Sequence, residues 1–192
     1  MSRPLILALA LVIALAASAA HAGEGAARSA QPISLPGTKN LYKVSDTLYR
    51  SAQPDAEGFR NLKELGIVTV VNLRSYHSDR DEIGDTGLGY EHLYMKAWHP
   101  ERKELMAFLR IATDPKRQPV LVHCQHGSDR TGAMVAAYRI VVQGWEKKDA
   151  VAELTSEQYG FHKVWKNLPS WVLEFDVNAI REELGIKVLP AP

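Results

Sequence analysis

Apolar positions in this chain follow two alternating rhythms. Leu41 to Val44 and Leu48 to Arg50 are short apolar runs around the turn residues Ser45-Asp46-Thr47, which predicts two strands. Pro54-Asp55 then opens a helix to Leu65, with Phe59, Leu62 and Leu65 at three-residue spacing and Gly66 as its stop. Ile67 to Leu73 is a continuous apolar, mostly β-branched run, the mark of a strand covered on both faces. Ser75 to Gly89 reads as a polar loop, Tyr90 to Met95 as a strand, and Glu101 to Ala112 as a helix with Leu105, Phe108 and Leu109 inward. Val120 to His123 is a third apolar strand, followed by a helix that starts near Arg130 or Thr131 and runs through Met134, Val135, Tyr138 and Val142 to Gly144. Helices over Lys147 to Gln158, His162 to Phe175 and Val177 to Leu184 complete the pattern, with Phe161, Val164, Trp165 and Leu168 expected in the core. Strands alternating with helices predict an α/β fold, a central and mostly parallel sheet flanked by helices. Ligands in such sheets bind beyond the carboxyl ends of the strands.

The ends of the chain do not fit that pattern. Met1-Ser2-Arg3-Pro4 is a short basic start, Leu5 to Ala17 is apolar, and Ala20-His21-Ala22 has small residues at a cleavage spacing, so residues 1–22 read as a signal peptide cut after Ala22. The apolar run is shorter than the roughly 20 residues of a spanning helix, and no cysteine follows the cut to carry a lipid, so no stable membrane anchor is expected after cleavage. Residues 23–39 read as a flexible leader, 40–185 as one catalytic-sized domain and 186–192 as a tail. Without Arg3 the chain has 22 basic against 22 acidic residues, a balance that argues against nucleic acid as a partner.

An exported chain with a single cysteine, Cys124, has no internal disulfide. Its surroundings point to chemistry. The run His123-Cys124-Gln125-His126-Gly127-Ser128-Asp129-Arg130-Thr131-Gly132 lies between a predicted strand and a predicted helix. A tight loop with glycine at its bend, leading into a helix N-terminus, gathers backbone N–H groups around one point and makes an anion site, here built from Gln125, His126, Gly127, Ser128, Asp129 and Arg130. The same field favours a thiolate at Cys124. Arg130 presents a planar fork that matches two oxygens of a phosphoryl group, and Thr131 carries a hydroxyl able to donate to the sulfur. Together they describe phosphate-ester hydrolysis through a phosphocysteine, with no metal and no cofactor.

This Cys-x5-Arg-Thr loop after a His-ended strand resembles the signature of the cysteine-dependent protein tyrosine phosphatases. The chain's size resembles their compact dual-specificity branch, and the export signal resembles the periplasmic tyrosine phosphatases of Gram-negative bacteria. Leu48-Tyr49-Arg50-Ser51-Ala52-Gln53-Pro54, Val70-Val71-Asn72-Leu73-Arg74 and Tyr138-Arg139-Ile140-Val141-Val142-Gln143-Gly144-Trp145 extend the likeness over most of Asn40 to Leu173. The resemblance implies a dual-specificity phosphatase fold, periplasmic location, and phosphotyrosine protein as substrate, phosphoserine and phosphothreonine being further possibilities.

Other readings stand beside this one. Cys124 as an inert core thiol leaves the glycine bend and Arg130 unexplained, and His123, Cys124 and His126 as metal ligands fit no standard zinc spacing. A rhodanese-like sulfurtransferase also carries a loop cysteine, but not Gly127, Arg130 and Thr131 at these offsets. Asp129 before the arginine leaves phosphoinositides and other small phosphates open as substrates, and a phosphate-binding module without turnover is the non-enzyme alternative. His123 and Arg74 are expected to support the loop. Arg50, Arg80 and Lys96 either add positive potential around the pocket or are solvated or salt-bridged. The general acid that the resemblance calls for, an Asp some thirty residues before the cysteine, is absent: no Asp stands between Thr86 and Thr113. Glu101 is the first candidate for that role and His99 the second, the alternative for Glu101 being a carboxylate that complements a helix N-terminus.

Overall fold

A computed structural model describes residues 29–186, so the signal peptide, the first residues of the leader and the tail beyond Ile186 lie outside the described residues. The compact unit beginning at Gln31 carries the sheet and its helices. Six strands lie in the order β1-β2-β3-β6-β4-β5: β1 is Gln31–Pro32, β2 Tyr42–Lys43, β3 Leu48–Ser51, β4 Thr69–Asn72, β5 Gly89–His92 and β6 Val120–His123. The pairs β3–β6, β6–β4 and β4–β5 are parallel, while β1 and β2 form an antiparallel edge.

Every residue of β3, β4 and β6 is buried, which is why these segments read as continuous runs. The three strands end together, with Ser51 and Asn72 both in register with His123. Residue 124 therefore leaves the sheet between two neighbours that stop at the same level. This is the crevice at the carboxyl ends of parallel strands.

Helix α1, Ala56–Glu64, starts where the Asp55 carboxylate accepts the Gly58 N–H at 2.9 Å and ends at Gly66, whose φ of +97° favours glycine. Its apolar face buries Phe59 and Leu62 completely, worth about 1.5–3 kcal/mol each. Helix α2 is the single turn Arg80–Ile83, and α3, Arg102–Ala112, packs Leu105, Phe108 and Leu109 inward. Helix α4, Asp129–Val141, is buried on nearly all sides and so lacks one apolar stripe. Helices α5, Lys147–Leu154, α6, Asn167–Leu173, and α7, Val177–Leu184, surround it.

Four expectations are corrected. Residues 31–39 of the expected leader are ordered: Gln31 and Pro32 pair with β2, Ile33 N–H donates to Leu41 O at 2.9 Å, and Gly37 lies so close to α1 that a Cβ there would come within 2.1 Å of Gly58 N. The polar stretch Ser75 to Gly89 contains α2 and a fully buried Asp79. The helix expected over His162 to Phe175 begins only at Asn167, after Gly160 in the left-handed region (φ +74°) and an extended-to-turn segment in which Val164 is 76% exposed. There the Asp129 carboxylate accepts the His162 N–H at 2.9 Å. The helix expected to reach Gln158 likewise stops at Leu154, and a separate 3₁₀ turn covers Glu157–Tyr159.

Candidate active site

Cys124 is the first residue beyond β6 and is 2% exposed. The residues that follow turn their carbonyls away from the loop, three onto donors supplied by other segments and the fourth onto the following helix. Gln125 O accepts the Gln53 N–H at 3.3 Å, and His126 O accepts Asn40 Nδ2 at 2.9 Å. Gly127 O accepts Arg50 Nη2 at 2.8 Å, and Ser128 O accepts the Gly132 N–H of α4 at 2.8 Å. In a trans peptide the N–H points opposite to the C=O. Four outward carbonyls therefore turn the N–H groups of His126, Gly127, Ser128 and Asp129 toward the loop's interior, where the N-terminus of α4 adds its own partial positive charge.

Gly127 makes the bend possible. Its φ is +71°, and a Cβ there would lie 2.5 Å from Ala52 N and Ser51 C at the end of β3. No side chain fits that approach.

The loop is braced from below by a buried polar network. His123, fully buried, shares Nε2 with Asp79 Oδ2 at 2.7 Å, and its Nδ1 lies 3.4 Å from Cys124 O. Since an ionised carboxylate only accepts, the Nε2 atom carries the hydrogen. Asp79 Oδ1 accepts Gln53 Nε2 at 2.9 Å and Asn72 Nδ2 at 3.0 Å, and the Asp79 N–H donates to Tyr90 Oη at 3.0 Å. Arg74 Nη1 donates to Gln53 Oε1 at 3.0 Å, and so reaches the loop through the residue whose N–H holds Gln125 O. Asp79, Gln53 and Asn72 were not singled out from sequence as site residues. Gln53 and Asn72 are polar side chains in or beside an apolar run and Asp79 is one in a polar stretch, and the role of each exists only once β3, β4 and β6 lie side by side.

Arg130 is half-buried at the first turn of α4. Its Nη1 donates to Leu73 O at 3.3 Å and Met95 O at 3.4 Å, while Nε and Nη2 have no protein acceptor among the described residues. That free edge is the one with which an arginine forks two oxygens of a phosphoryl group. Thr131 is fully buried, and its hydroxyl has no hydrogen-bond partner, so the expected bond from Oγ1 to the Cys124 sulfur is not made in this structure. Asp129 is corrected in one respect. Only its backbone serves the anion site, because its side chain turns out to His162, with Oδ1 on the N–H and Oδ2 on Nδ1, both at 2.9 Å. Ser128 is 3% exposed with its hydroxyl 3.4 Å from His126 O, and His126 is exposed on the rim with its ring 5.1 Å from that of His162.

The two proposed acids are placed differently from expectation. Glu101 is the N-cap of α3, and its carboxylate meets Lys103 Nζ at 2.8 Å. The hydrogen bond and charge of Lys103 hold the Glu101 carboxyl below the usual carboxylate range, so it has no proton to give near neutrality. The capping alternative describes its position better. His99 is exposed, and its N–H donates to Lys96 O in the tight turn between them. Among the described residues neither side chain is hydrogen-bonded to residues 124–130. Arg50, expected either to add positive potential around the pocket or to be solvated or salt-bridged, is instead fully buried beneath the loop, whereas Arg80 and Lys96 are exposed.

His126, Asp129 and His162 bring ligand atoms within 4.8 Å of one another, which makes them the residues best placed to hold a metal ion. Both oxygens of Asp129 are already engaged by His162 and the loop around them is an anion site, so the arrangement is that of a rim tie between α4 and residue 162.

Comparison with known proteins agrees with this geometry. The family described as DSP-PTPase phosphatase fused to NAD+ kinase matches residues 38–167. The dual specificity protein phosphatase TpbA of Pseudomonas aeruginosa is 37% identical over 143 residues, an alignment covering 74% of this chain and 65% of TpbA, so the chain spans a little under two thirds of that relative's length. A solved structure of TpbA superposes with a TM-score of 0.73 at 35% identity, covering 82% of this chain and 97% of that one, and a Cys-to-Ser variant of TpbA in complex with phosphotyrosine gives the same TM-score at 34% identity, covering 82% and 96%. The inositol diphosphatase DSP5 of Arabidopsis thaliana is 28% identical over 116 residues, 55% of each chain. With the signature loop, its supporting strands and the matched span all in agreement, the chain belongs to the dual-specificity-phosphatase-like family, in the compact branch of the cysteine-dependent protein tyrosine phosphatases.

Proposed function

We propose that this protein hydrolyses phosphate monoesters through a phosphocysteine, with phosphotyrosine in proteins as its leading substrate. One observation carries the reading: Cys124 and Arg130 stand at the two ends of a loop in which the carbonyls of Gln125, His126, Gly127 and Ser128 all face outward. In the first step the Cys124 thiolate attacks phosphorus, the P–S bond forms, and the ester P–O bond breaks with its electron pair leaving on oxygen. The inward N–H groups and the Arg130 fork hold the equatorial oxygens as charge moves through them. In the second step water attacks phosphorus, the sulfur leaves as thiolate, and inorganic phosphate departs. Thr131, with its hydroxyl uncommitted, is placed in the turn after Arg130 to donate to that departing sulfur.

Steady-state turnover of a phosphotyrosine peptide, set beside trapping of the phosphoenzyme by rapid acid quench and mass measurement, tests this reading. A wild-type protein that binds inorganic phosphate but turns nothing over would leave the non-enzyme alternative. The kinship with an enzyme named for inositol diphosphates supports a second reading, a small polyanionic phosphate as substrate. A kcat/KM for inositol diphosphates above that for phosphotyrosine peptides would select it. The export reading belongs to the same proposal: protein recovered from a periplasmic extract should begin at Gly23, and recovery of the intact Met1 form from the cytosol would defeat it.

A further inference from the structure

Two arginines are buried to the same degree in this fold and are treated in opposite ways. Arg139, 2% exposed on α4, is fully neutralised: Nε and Nη2 lie on the two oxygens of Glu153 at 2.9 and 2.8 Å, and Nη1 donates to Val44 O at 3.2 Å and Gln143 Oε1 at 2.8 Å. Arg50, 0% exposed on β3, makes a single hydrogen bond, from Nη2 to Gly127 O at 2.8 Å. Its Nε and Nη1 are buried with no partner, and the guanidinium lies 4.0 Å from the centroid of the Tyr159 ring.

The charged and titratable groups around Arg50 are Tyr159, Glu153, Cys124 and Tyr42. No carboxylate among the described residues is its counterion, and the one protein anion the reaction places near it is the attacking Cys124 thiolate. Glu153 is committed to Arg139. Burial, with Glu153 nearby, pushes the Tyr159 phenol up to about 12, so that ring stays neutral. Burial also lowers Arg50 from its ordinary value, as expected for a cation without a carboxylate. A buried, half-satisfied cation is a liability that folds seldom keep without a use. The group it faces is the loop: its one bond fixes the Gly127 carbonyl outward, which sets the Ser128 N–H inward.

We propose that Arg50 is a positioning residue for phosphoryl transfer, a second guanidinium that acts through the Gly127–Ser128 peptide from behind the loop and whose charge is balanced by the Cys124 thiolate and the bound phosphoryl dianion rather than by a carboxylate. This rests on the phosphatase reading and goes beyond it, since no group above the loop is involved.

The test compares Arg50→Met, Arg50→Lys and Arg139→Met in the mature-length chain, using p-nitrophenyl phosphate turnover, thermal unfolding, and the rise in Tm caused by saturating inorganic phosphate. Arg50→Met is expected to unfold at or above the wild-type temperature, to lose kcat by about tenfold or more, and to lose most of the phosphate-induced rise in Tm. Arg50→Lys should keep part of the phosphate-induced rise but less than half of kcat, because a point charge does not reproduce the fork. Arg139→Met should show the reverse, a lower Tm with kcat per folded molecule near wild type. The proposal is overturned if Arg50→Met fails to fold or loses Tm in proportion to activity, if its kcat and phosphate response match wild type, or if Arg50→Lys is indistinguishable from wild type. Absence of turnover in the wild type itself would instead count against the phosphatase reading, and the phosphate-induced change in Tm would still report on Arg50.

Discussion

The phosphate loop, residues 124–130, and the segment 95–101 touch through Arg130, whose Nη1 meets Met95 O, yet they are built differently. In the first, four successive carbonyls are held by donors from Gln53, Asn40, Arg50 and the following helix, and the base of the loop rests on a fully buried His–Asp pair. In the second, Trp98 is 57% exposed, His99 is exposed, and the chain is tied at the Met95 and Ala97 carbonyls by Ser75 Oγ at 2.8 Å and Asn167 Nδ2 at 2.7 Å. The contrast separates two parts of catalysis. Holding the phosphoryl group and attacking it are preorganised, whereas the segment that would protonate the leaving oxygen offers an ionised glutamate and a solvated histidine. Turnover should therefore depend steeply on the leaving group.

The contrast breaks most severely at the nucleophile: Cys124→Ser should lose more than about 99% of turnover while still binding phosphotyrosine peptide, as read by steady-state kinetics and calorimetry. Arg130→Lys comes next. With a point charge in place of the fork, kcat should fall by about 10²-fold and the inhibition constant for inorganic phosphate should rise. Asp79→Ala removes the acceptor shared by His123, Gln53 and Asn72 and leaves their donors buried. It should cost about 3–5 kcal/mol in chemical denaturation and lower kcat in the remaining folded protein, while Asp79→Asn should cost less.

The smallest effect belongs to the looser segment. Glu101→Gln and His99→Ala should each change kcat for phosphotyrosine by less than about twofold, well short of the 10²- to 10⁴-fold expected of a general acid. Because Lys103 holds the Glu101 carboxyl low, the pair's contribution to stability is present above the unfolded carboxyl value and lost as pH falls through the lowered one. Glu101 is thus already ionised across the neutral range, and its removal should leave the basic limb of the pH–rate profile where it was. A tenfold loss confined to poor leaving groups would show that segment 95–101 closes and protonates after all.

The reactive loop was legible in sequence because its chemistry is local: strand, cysteine, glycine bend, arginine and helix start fall within consecutive residues. Its supports were not, since Asp79, Gln53, Asn72 and Arg50 come from separate segments and meet only through the strand order β3-β6-β4. Asp79 illustrates why. In sequence it is one polar residue in a polar stretch, and its burial is bearable only because three side chains satisfy its carboxylate and the Tyr90 hydroxyl accepts its N–H. The misread helix start near His162 is the opposite case. Phe161, Val164, Trp165 and Leu168 have helical spacing, but Val164 is 76% exposed and the chain only turns there before the helix begins at Asn167.

The strand order has a kinetic consequence. β6 is inserted between β3 and β4 from far along the chain, Leu48 pairing with Val120 and Val120 with Thr69, and Gly127 closes against Ser51 and Ala52. Such non-local pairings are formed late and slowly, since long segments of chain must be brought together before any contact rewards them. The anion site cannot be nucleated by residues 120–132 alone, however complete their sequence looks. During refolding from denaturant, affinity for phosphate should lag behind the recovery of helical signal and arrive with the last of the sheet, so that ligand binding serves as a clock for topology.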